Sequence, residues 1–136
     1  MPRLSQWLIR AALLYLLAGF TVGALLLGHK GVPFHPALWS WLPAHIEFLL
    51  IGWIMQLTMG VAYWILPRFW DKPRDAHLVY AQTAFVLLNV GIWLVVIGGL
   101  WREGRSLLWL GRAMELGAAV AFARYAWGRV VGREGS

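Results

Sequence analysis

The stretch "PAHIEFLLIGWIMQLTMGVAYWILPRFW", residues 43–70, decides the fold of this chain. Its apolar run matches the roughly 20 residues that an α-helix needs to cross the hydrocarbon of a bilayer. His45 and Glu47 stand near the start of the run, where the hydrocarbon would begin. An ionisable residue inside a membrane span is costly and is a functional hypothesis by default. The stretch therefore predicts a membrane helix with two candidate functional residues near one end.

Three further apolar runs of similar length accompany this one. The four predicted spans cover about residues 7–28, 39–66, 77–100 and 106–130, in a single domain over residues 1–136. The chain is 60% apolar, against about 45–50% in soluble domains, and its mean hydropathy is +0.64. Short loops join the runs, so neighbouring helices should be antiparallel. We therefore expect an all-α integral membrane protein, an antiparallel up-down four-helix bundle in a lipid bilayer.

The placement of the basic residues indicates orientation rather than nucleic acid binding, although the net charge is +6. One side of the bundle is predicted to carry Arg3, Arg10, Arg68, Lys72, Arg74, Arg124, Arg129 and Arg133, and the other side Lys30, Arg102, Arg105 and Arg112. The positive-inside rule then places both termini in the cytoplasm. The expected location is the inner cell membrane. The lack of cysteine excludes disulfides, iron–sulfur clusters and covalently attached c-type haem.

Two ionisable residues in the fourth run add to His45 and Glu47. Glu115 follows Arg112 by three residues, so the two share a helix face and can pair. The favoured interpretation is an internal ion pair that helps to assemble the bundle. The alternative is that Arg112 meets an anionic cofactor group, such as a haem propionate. Glu47 is rotated about 200° from His45, so we expect it to face a neighbouring helix, a water or a second site.

One face of the second span combines a histidine with a glycine. At about 100° per residue, a single face holds His45, Leu49, Gly52, Gln56, Met59 and Tyr63. Gly52 below His45 would leave a flat slot in which a porphyrin ligated by His45 Nε2 could lie. His35, in the "PFHP" segment, is a candidate second ligand, whereas His29 and His77 are interpreted as interfacial polar residues. Spacing alone leaves open that His45 is only a hydrogen-bonded helix contact.

The second span resembles the second helix of the catalytic subunit of heme-copper oxidases and, more closely, of the related nitric oxide reductases. The matching residues are His45, Gly60, Tyr63 and Pro67, in "H…GVAYWILP". The resemblance implies that His45 occupies the ligand position of the low-spin haem. That family's subunit consists of three similar arcs of four helices, and this chain looks like one arc. It lacks the further histidines of a binuclear oxygen- or NO-reducing centre, so an independent enzyme is not expected.

The resemblance implies a b-type haem protein that works in electron transfer, or in gas or haem binding, as a homo-oligomer. In a dimer, His45 from two subunits could provide both axial ligands of one haem, whereas a trimer could gather three histidines or bind one haem per chain. A respiratory complex or another electron donor is the candidate partner. The predicted cofactor-binding residues are His45, Gly52, Tyr63 and Arg112. The first alternative is a cofactor-free accessory subunit of a respiratory complex such as nitric oxide reductase. A small transporter or channel lined by Glu47, Gln56, Arg112 and Glu115 ranks below both.

Overall fold

The computed structural model describes residues 1–66, 74–101 and 103–130, without the side chains of residues 74–77. Within these residues the secondary structure is helical, and no strand is found. The elements are α1 (Arg3–Gly31), a 3-10 helix (Pro36–Trp41), α2 (Leu42–Glu47), a π-helix (Phe48–Met55), α3 (Gln56–Ile65), α4 (Arg74–Leu100) and α5 (Arg105–Val130). Some residues that the sequence analysis used lie outside the described residues, namely Pro67, Arg68, Lys72, Arg102 and Arg133.

The prediction of four membrane-length helices in an all-α protein is confirmed. The candidate spans are Arg3–Gly31, Pro36–Ile65, Leu78–Leu100 and Arg105–Val130, and we call them spans one to four. Span two runs from the 3-10 helix through α2 and the π-helix to α3. Span one extends beyond both of its predicted limits, whereas span two begins three residues earlier than predicted and ends within the predicted limit. The order of the helices across the bilayer and the cytoplasmic position of both termini stay predictions.

The outer surface of the bundle is apolar along its helices. Large exposed side chains include Leu14, Leu27, Ile65, Leu116 and Trp127. In water such a surface would aggregate, whereas lipid hydrocarbon solvates it. The chain is therefore a multi-pass membrane protein whose surroundings are a lipid bilayer.

The first hairpin joins α1 to span two through contacts between glycines and side chains. Gly23 of α1 lies against His45, and Gly19 lies against Leu49. Further along the hairpin, Gly60 of α3 lies beside Leu8 of α1, and the Ser5 hydroxyl of α1 donates a hydrogen bond to the Gly60 carbonyl (2.7 Å). Residues near the start of α1 thus contact residues near the end of span two.

The second hairpin joins α4 to α5 through glycines on both helices. A Cβ on Gly98 would lie 2.7 Å from both the Gly104 carbonyl oxygen and the Leu108 nitrogen. A Cβ on Gly111 would lie 2.8 Å from the Gly91 carbonyl oxygen. These backbones approach so closely because no Cβ stands between them, as small residues permit in membrane helix pairs.

The two hairpins meet along α4 and span two. The shared core contains Leu8, Tyr15, Ala44, Phe48, Met59, Leu88, Ile92, Val96 and Ala118. We call the end of the bundle with Gly31, Pro36, Leu100 and Gly104 the loop end. At the opposite end Tyr63, Ala81 and Tyr125 form a second cluster. His45, Glu47 and Arg112 lie in the half of the bundle nearer the loop end.

Candidate functional site

His45 lies on α2 with its imidazole ring against α1. Its Nδ1 is 2.7 Å from the Gly19 carbonyl oxygen. A carbonyl only accepts, so Nδ1 carries the proton and donates it, and in the neutral ring Nε2 keeps its lone pair. Nε2 makes no hydrogen bond to the described part of the chain. The atom that the sequence predicts as a metal ligand is therefore available for one.

Two glycines of α1 create the space for this ring. A Cβ on Gly23 would lie 2.5 Å from His45 Cε1 and 2.9 Å from Nδ1, both too close for non-bonded atoms. Gly19 and Gly23 are one helical turn apart and so share a face of α1. The analysis of span two did not identify these glycines, because they lie on a different helix. The glycine that accommodates His45 thus comes from the neighbouring helix.

The flat slot predicted beside Gly52 is absent, because the Tyr15 ring fills it. A Cβ on Gly52 would lie 2.5 Å from Tyr15 Cγ. The Tyr15 hydroxyl donates to Asn89 Oδ1 of α4 (3.0 Å), which ties the ring to a third helix. On the face of span two that the periodicity singled out, His45, Leu49 and Gly52 pack on α1. Gly52 consequently serves helix packing here, and its predicted contact with a porphyrin loses its geometric basis.

Tyr63 lies at the end of the bundle opposite the loop end. Its ring stacks on Tyr125 of α5, with ring centroids 5.1 Å apart. The Arg129 guanidinium lies 4.3 Å from the centroid of the Tyr125 ring. Tyr63 is therefore part of an aromatic contact between the hairpins, and the structure does not bring it to His45.

Arg112 joins two buried glutamates from different hairpins. Its Nη1 is 2.7 Å from Glu115 Oε2, and its Nη2 is 2.8 Å from Glu47 Oε2. Glu47 is 3% exposed and Glu115 is 8% exposed, whereas the Arg112 side chain is 45% exposed. The predicted Arg112–Glu115 pair is confirmed. Glu47 faces the neighbouring helix, as one of its predicted alternatives had it, and completes a three-residue cluster.

This cluster argues against the propionate hypothesis for Arg112. Both terminal nitrogens of its guanidinium already bind carboxyl groups. Two carboxyl groups for one guanidinium would also repel a further anion. The predicted role of Arg112 in cofactor binding therefore gains no support from the geometry.

The remaining described histidines shape the loop between spans one and two. Nδ1 of buried His29 accepts hydrogen bonds from the backbone nitrogens of Phe34 (3.1 Å) and His35 (3.2 Å). The exposed His35 accepts from the Ala37 nitrogen (3.3 Å) at the start of the 3-10 helix. His29 thus organises the loop at the end of α1, and its interfacial position stays a prediction. His35 as a second haem ligand stays a prediction, and no group of three or more His, Asp or Glu able to hold a metal ion occurs among the described residues.

Comparison with known proteins gives one distant similarity. Over 72 residues, 52% of this chain, the sequence is 28% identical to a cytochrome c oxidase subunit 1 homologue of Agrobacterium tumefaciens (strain T37). The chain spans about 13% of the length of that protein. No family model matches the chain, and no solved structure does. The similarity suggests a distant relationship to heme-copper oxidase subunits.

Proposed function

We propose that the chain is a membrane b-type haem-binding protein, equivalent to one four-helix arc of a heme-copper oxidase or nitric oxide reductase subunit, that transfers electrons or binds gas. The observation that carries this proposal is the His45 hydrogen bond to the Gly19 carbonyl (2.7 Å). It fixes the tautomer in which Nε2 is free to ligate a metal. The distant similarity to a cytochrome c oxidase subunit 1 homologue supports the same function.

His45 fits the role of an axial haem ligand. Metal-ligating histidines almost always donate their second ring N–H to a carbonyl, a carboxylate or a water, which orients the ring and raises its basicity. The Gly19 carbonyl would supply this partner, and Gly23 would leave room for the ring. The haem iron, when bound, would supply one-electron redox chemistry or a site for a diatomic gas.

The rest of the haem environment would come from a second copy of the chain. Tyr15 closes the space beside Gly52, so a porphyrin would not fit between α1 and span two. His45 is partly exposed, and exposed apolar side chains flank it at Leu42 and Ile46 of α2. We therefore place the cofactor between copies in a homo-oligomer. In a dimer, His45 of each copy would ligate one iron, whereas a trimer would bind one haem per chain or gather three histidines.

Optical spectroscopy tests the proposal. The protein would be purified in detergent from haem-supplied cells, and oxidised and reduced spectra recorded for wild type, His45→Ala and His35→Ala. We expect a b-type α-band in the reduced wild type that His45→Ala abolishes. An unchanged band in His35→Ala, with one haem per two chains, would support the shared bis-histidine dimer. A colourless wild type that stays colourless after haem addition would overturn haem binding.

The cofactor-free accessory subunit is the second candidate, and the same bond favours it. A histidine that donates to a neighbouring helix can serve in helix packing alone. In that case the hydrogen bond to the Gly19 carbonyl would be the whole role of His45. In this case His45→Asn would preserve stability, because an amide can also donate to the Gly19 carbonyl. A colourless protein with this behaviour would place the accessory function first.

A further inference from the structure

Two arginines and a tryptophan line one outward face of α1, at the end of the bundle opposite the loop end. Arg3, Trp7 and Arg10 follow one another at intervals of four and three residues, so they share one side of the helix. All three side chains are exposed. Leu14 and Leu17 continue the same side deeper into the span and are also exposed. We call these five residues the α1 outer face.

The arginines of the α1 outer face have no negative partner in the described part of the chain. Neither Arg3 nor Arg10 makes an ion pair or a hydrogen bond there. Glu47 and Glu115 are ion-paired with Arg112, and Glu103 lies at the loop end. The other acidic residues of the chain are Asp71, Asp75 and Glu134, whose side chains lie outside the described part, in segments that also carry Arg68, Lys72, Arg74 and Arg133. Basic residues are thus in surplus at this end.

Arg10 lies inside the apolar run of span one. It follows Arg3 by seven residues, which is about 10 Å along the helix axis. The 29 residues of α1 make it about 43 Å long, against about 30 Å of hydrocarbon. Side chains incline towards the N-terminus of their own helix, so Arg10 inclines towards Trp7 and Arg3. Its charged group therefore reaches the level of the lipid headgroups, while its alkyl stem stays in hydrocarbon.

We propose that the α1 outer face binds an anionic phospholipid, with Arg3 and Arg10 on the phosphate and Leu14 and Leu17 along an acyl chain. A guanidinium group binds phosphate oxygens in a bidentate geometry. The indole N–H of Trp7 is a further donor at the level of the headgroup. Basic residues beside a membrane span attract anionic lipids, and each arginine raises their affinity about fivefold. The site does not depend on haem.

A second copy of the chain would not supply the missing anion. Copies in a cyclic oligomer share one orientation in the membrane, so equivalent residues of all copies lie at the same level. Glu103 is the exposed acidic residue of the described part, and it lies at the loop end, a full span away from Arg3. Two α1 outer faces against each other would bring like charges together. An anionic lipid matches both the charge and the depth of this face.

Fluorescence quenching by brominated lipids tests the proposal. The chain has no cysteine, so Leu14→Cys provides a single attachment point for a fluorophore on the α1 outer face. The labelled protein would be reconstituted into mixtures of phosphatidylglycerol and phosphatidylcholine, with one of the two lipids brominated in its acyl chains. The quenching gives the relative association constant of the two lipids at this position. We expect phosphatidylglycerol to be preferred, and Arg3→Gln and Arg10→Gln each to lower the preference about fivefold.

Val120→Cys on α5 is the matched control position. Val120 is 61% exposed and Leu14 is 68% exposed, and each lies four residues deeper than an exposed arginine, Arg124 or Arg10. Arg124 has no second arginine one or two turns away on its face, and its side chain inclines towards the membrane interior because α5 runs in the opposite direction. The preference for phosphatidylglycerol should therefore be smaller at Val120→Cys. Arg124→Gln should leave the preference at Leu14→Cys unchanged.

Three results would overturn the proposal. Equal association of the two lipids at Leu14→Cys would mean that the face does not select an anionic headgroup. An equal preference at both positions, insensitive to Arg3→Gln and Arg10→Gln, would assign it to the overall positive charge of this end. A fluorophore that neither brominated lipid quenches would show that a second copy covers the face. The comparison of the two lipids at Leu14→Cys decides the matter even if an arginine variant fails to fold.

Discussion

The two hairpins of this protein use glycine in different ways. In the hairpin of α1 and span two, Gly19 and Gly23 receive the outer atoms of the Leu49 and His45 side chains. In the hairpin of α4 and α5, Gly98 and Gly111 meet backbone atoms of the partner. A side chain can rotate away from an added methyl group, whereas a backbone cannot move without separating the helices. The first hairpin is therefore the adaptable one, and the second is the rigid frame.

This difference matches the placement of the polar groups. His45, the candidate ligand, is held in the adaptable hairpin by a single hydrogen bond to α1. Arg112 and Glu115 lie on α5, which is fixed by its backbone contacts with α4. Glu47 is the residue through which the first hairpin reaches this frame. Substitutions in the Glu47–Arg112–Glu115 cluster, in the rigid frame and in the adaptable hairpin should therefore change the free energy of unfolding by different amounts.

The largest effect is expected for Arg112→Gln, which removes the ion pairs that Arg112 makes with Glu47 and Glu115. It leaves two buried carboxyl groups without their cation and should lower the free energy of unfolding by about 3 kcal/mol, as for a broken buried pair. Reversible unfolding in mixed detergent measures this. Arg105→Gln, at an exposed position in the first turn of α5, is the control, and an equal loss there would refute a specific link.

The next effect is expected for Gly98→Ala in the rigid frame. The added methyl group would meet backbone atoms at 2.7 Å, and we expect a loss of about 2 kcal/mol, typical of overpacking. Gly99→Ala is the matched control, because no atom lies within 4 Å of a Cβ there. The control should be neutral or slightly stabilising, since alanine favours helix. Equal unfolding free energies for the two variants would show that the second hairpin accommodates the methyl group and is not a rigid frame.

A smaller effect is expected for Gly23→Ala in the adaptable hairpin. The methyl group would displace the His45 ring and break its bond to Gly19, at a cost of about 1 kcal/mol relative to Gly28→Ala. Gly28 is the control because a Cβ there has open space. In haem-loaded protein, Gly23→Ala should also shift the α-band, whereas Gly28→Ala should not. A loss as large as that of Gly98→Ala would show that this hairpin is as rigid as the second.

The smallest effect, of opposite sign, is expected for Gln56→Met. Gln56 is fully buried, and neither polar atom of its amide has a partner among the described residues. Removing this amide should raise the free energy of unfolding by about 0.5 kcal/mol, a small gain because the membrane-embedded unfolded state also satisfies polar groups. Asn89→Leu is the comparison, since Asn89 accepts from Tyr15 and its loss should destabilise. A destabilising Gln56→Met would mean that the amide has an essential partner, such as a water.

The sequence predicted the helices better than their ends. The four apolar runs became the four spans, but span one begins at Arg3 rather than near residue 7, and span two begins at Pro36 rather than near residue 39. Hydropathy marks where the hydrocarbon lies, whereas helix ends depend on local hydrogen bonds. The loop after α1 illustrates this, because His29 binds the Phe34 and His35 backbone nitrogens and so directs the chain into the 3-10 helix.

The sequence by itself determined the membrane-spanning helical fold and the Arg112–Glu115 pair. Both depend on residues close in the chain, through summed hydropathy and helical spacing. Only the tertiary structure decided that Glu47 joins that pair, that His45 donates to Gly19, and that Tyr15 fills the space beside Gly52. Each of these contacts joins two different helices. Their partners are set by how the helices rotate and pack, which periodicity along one helix does not specify.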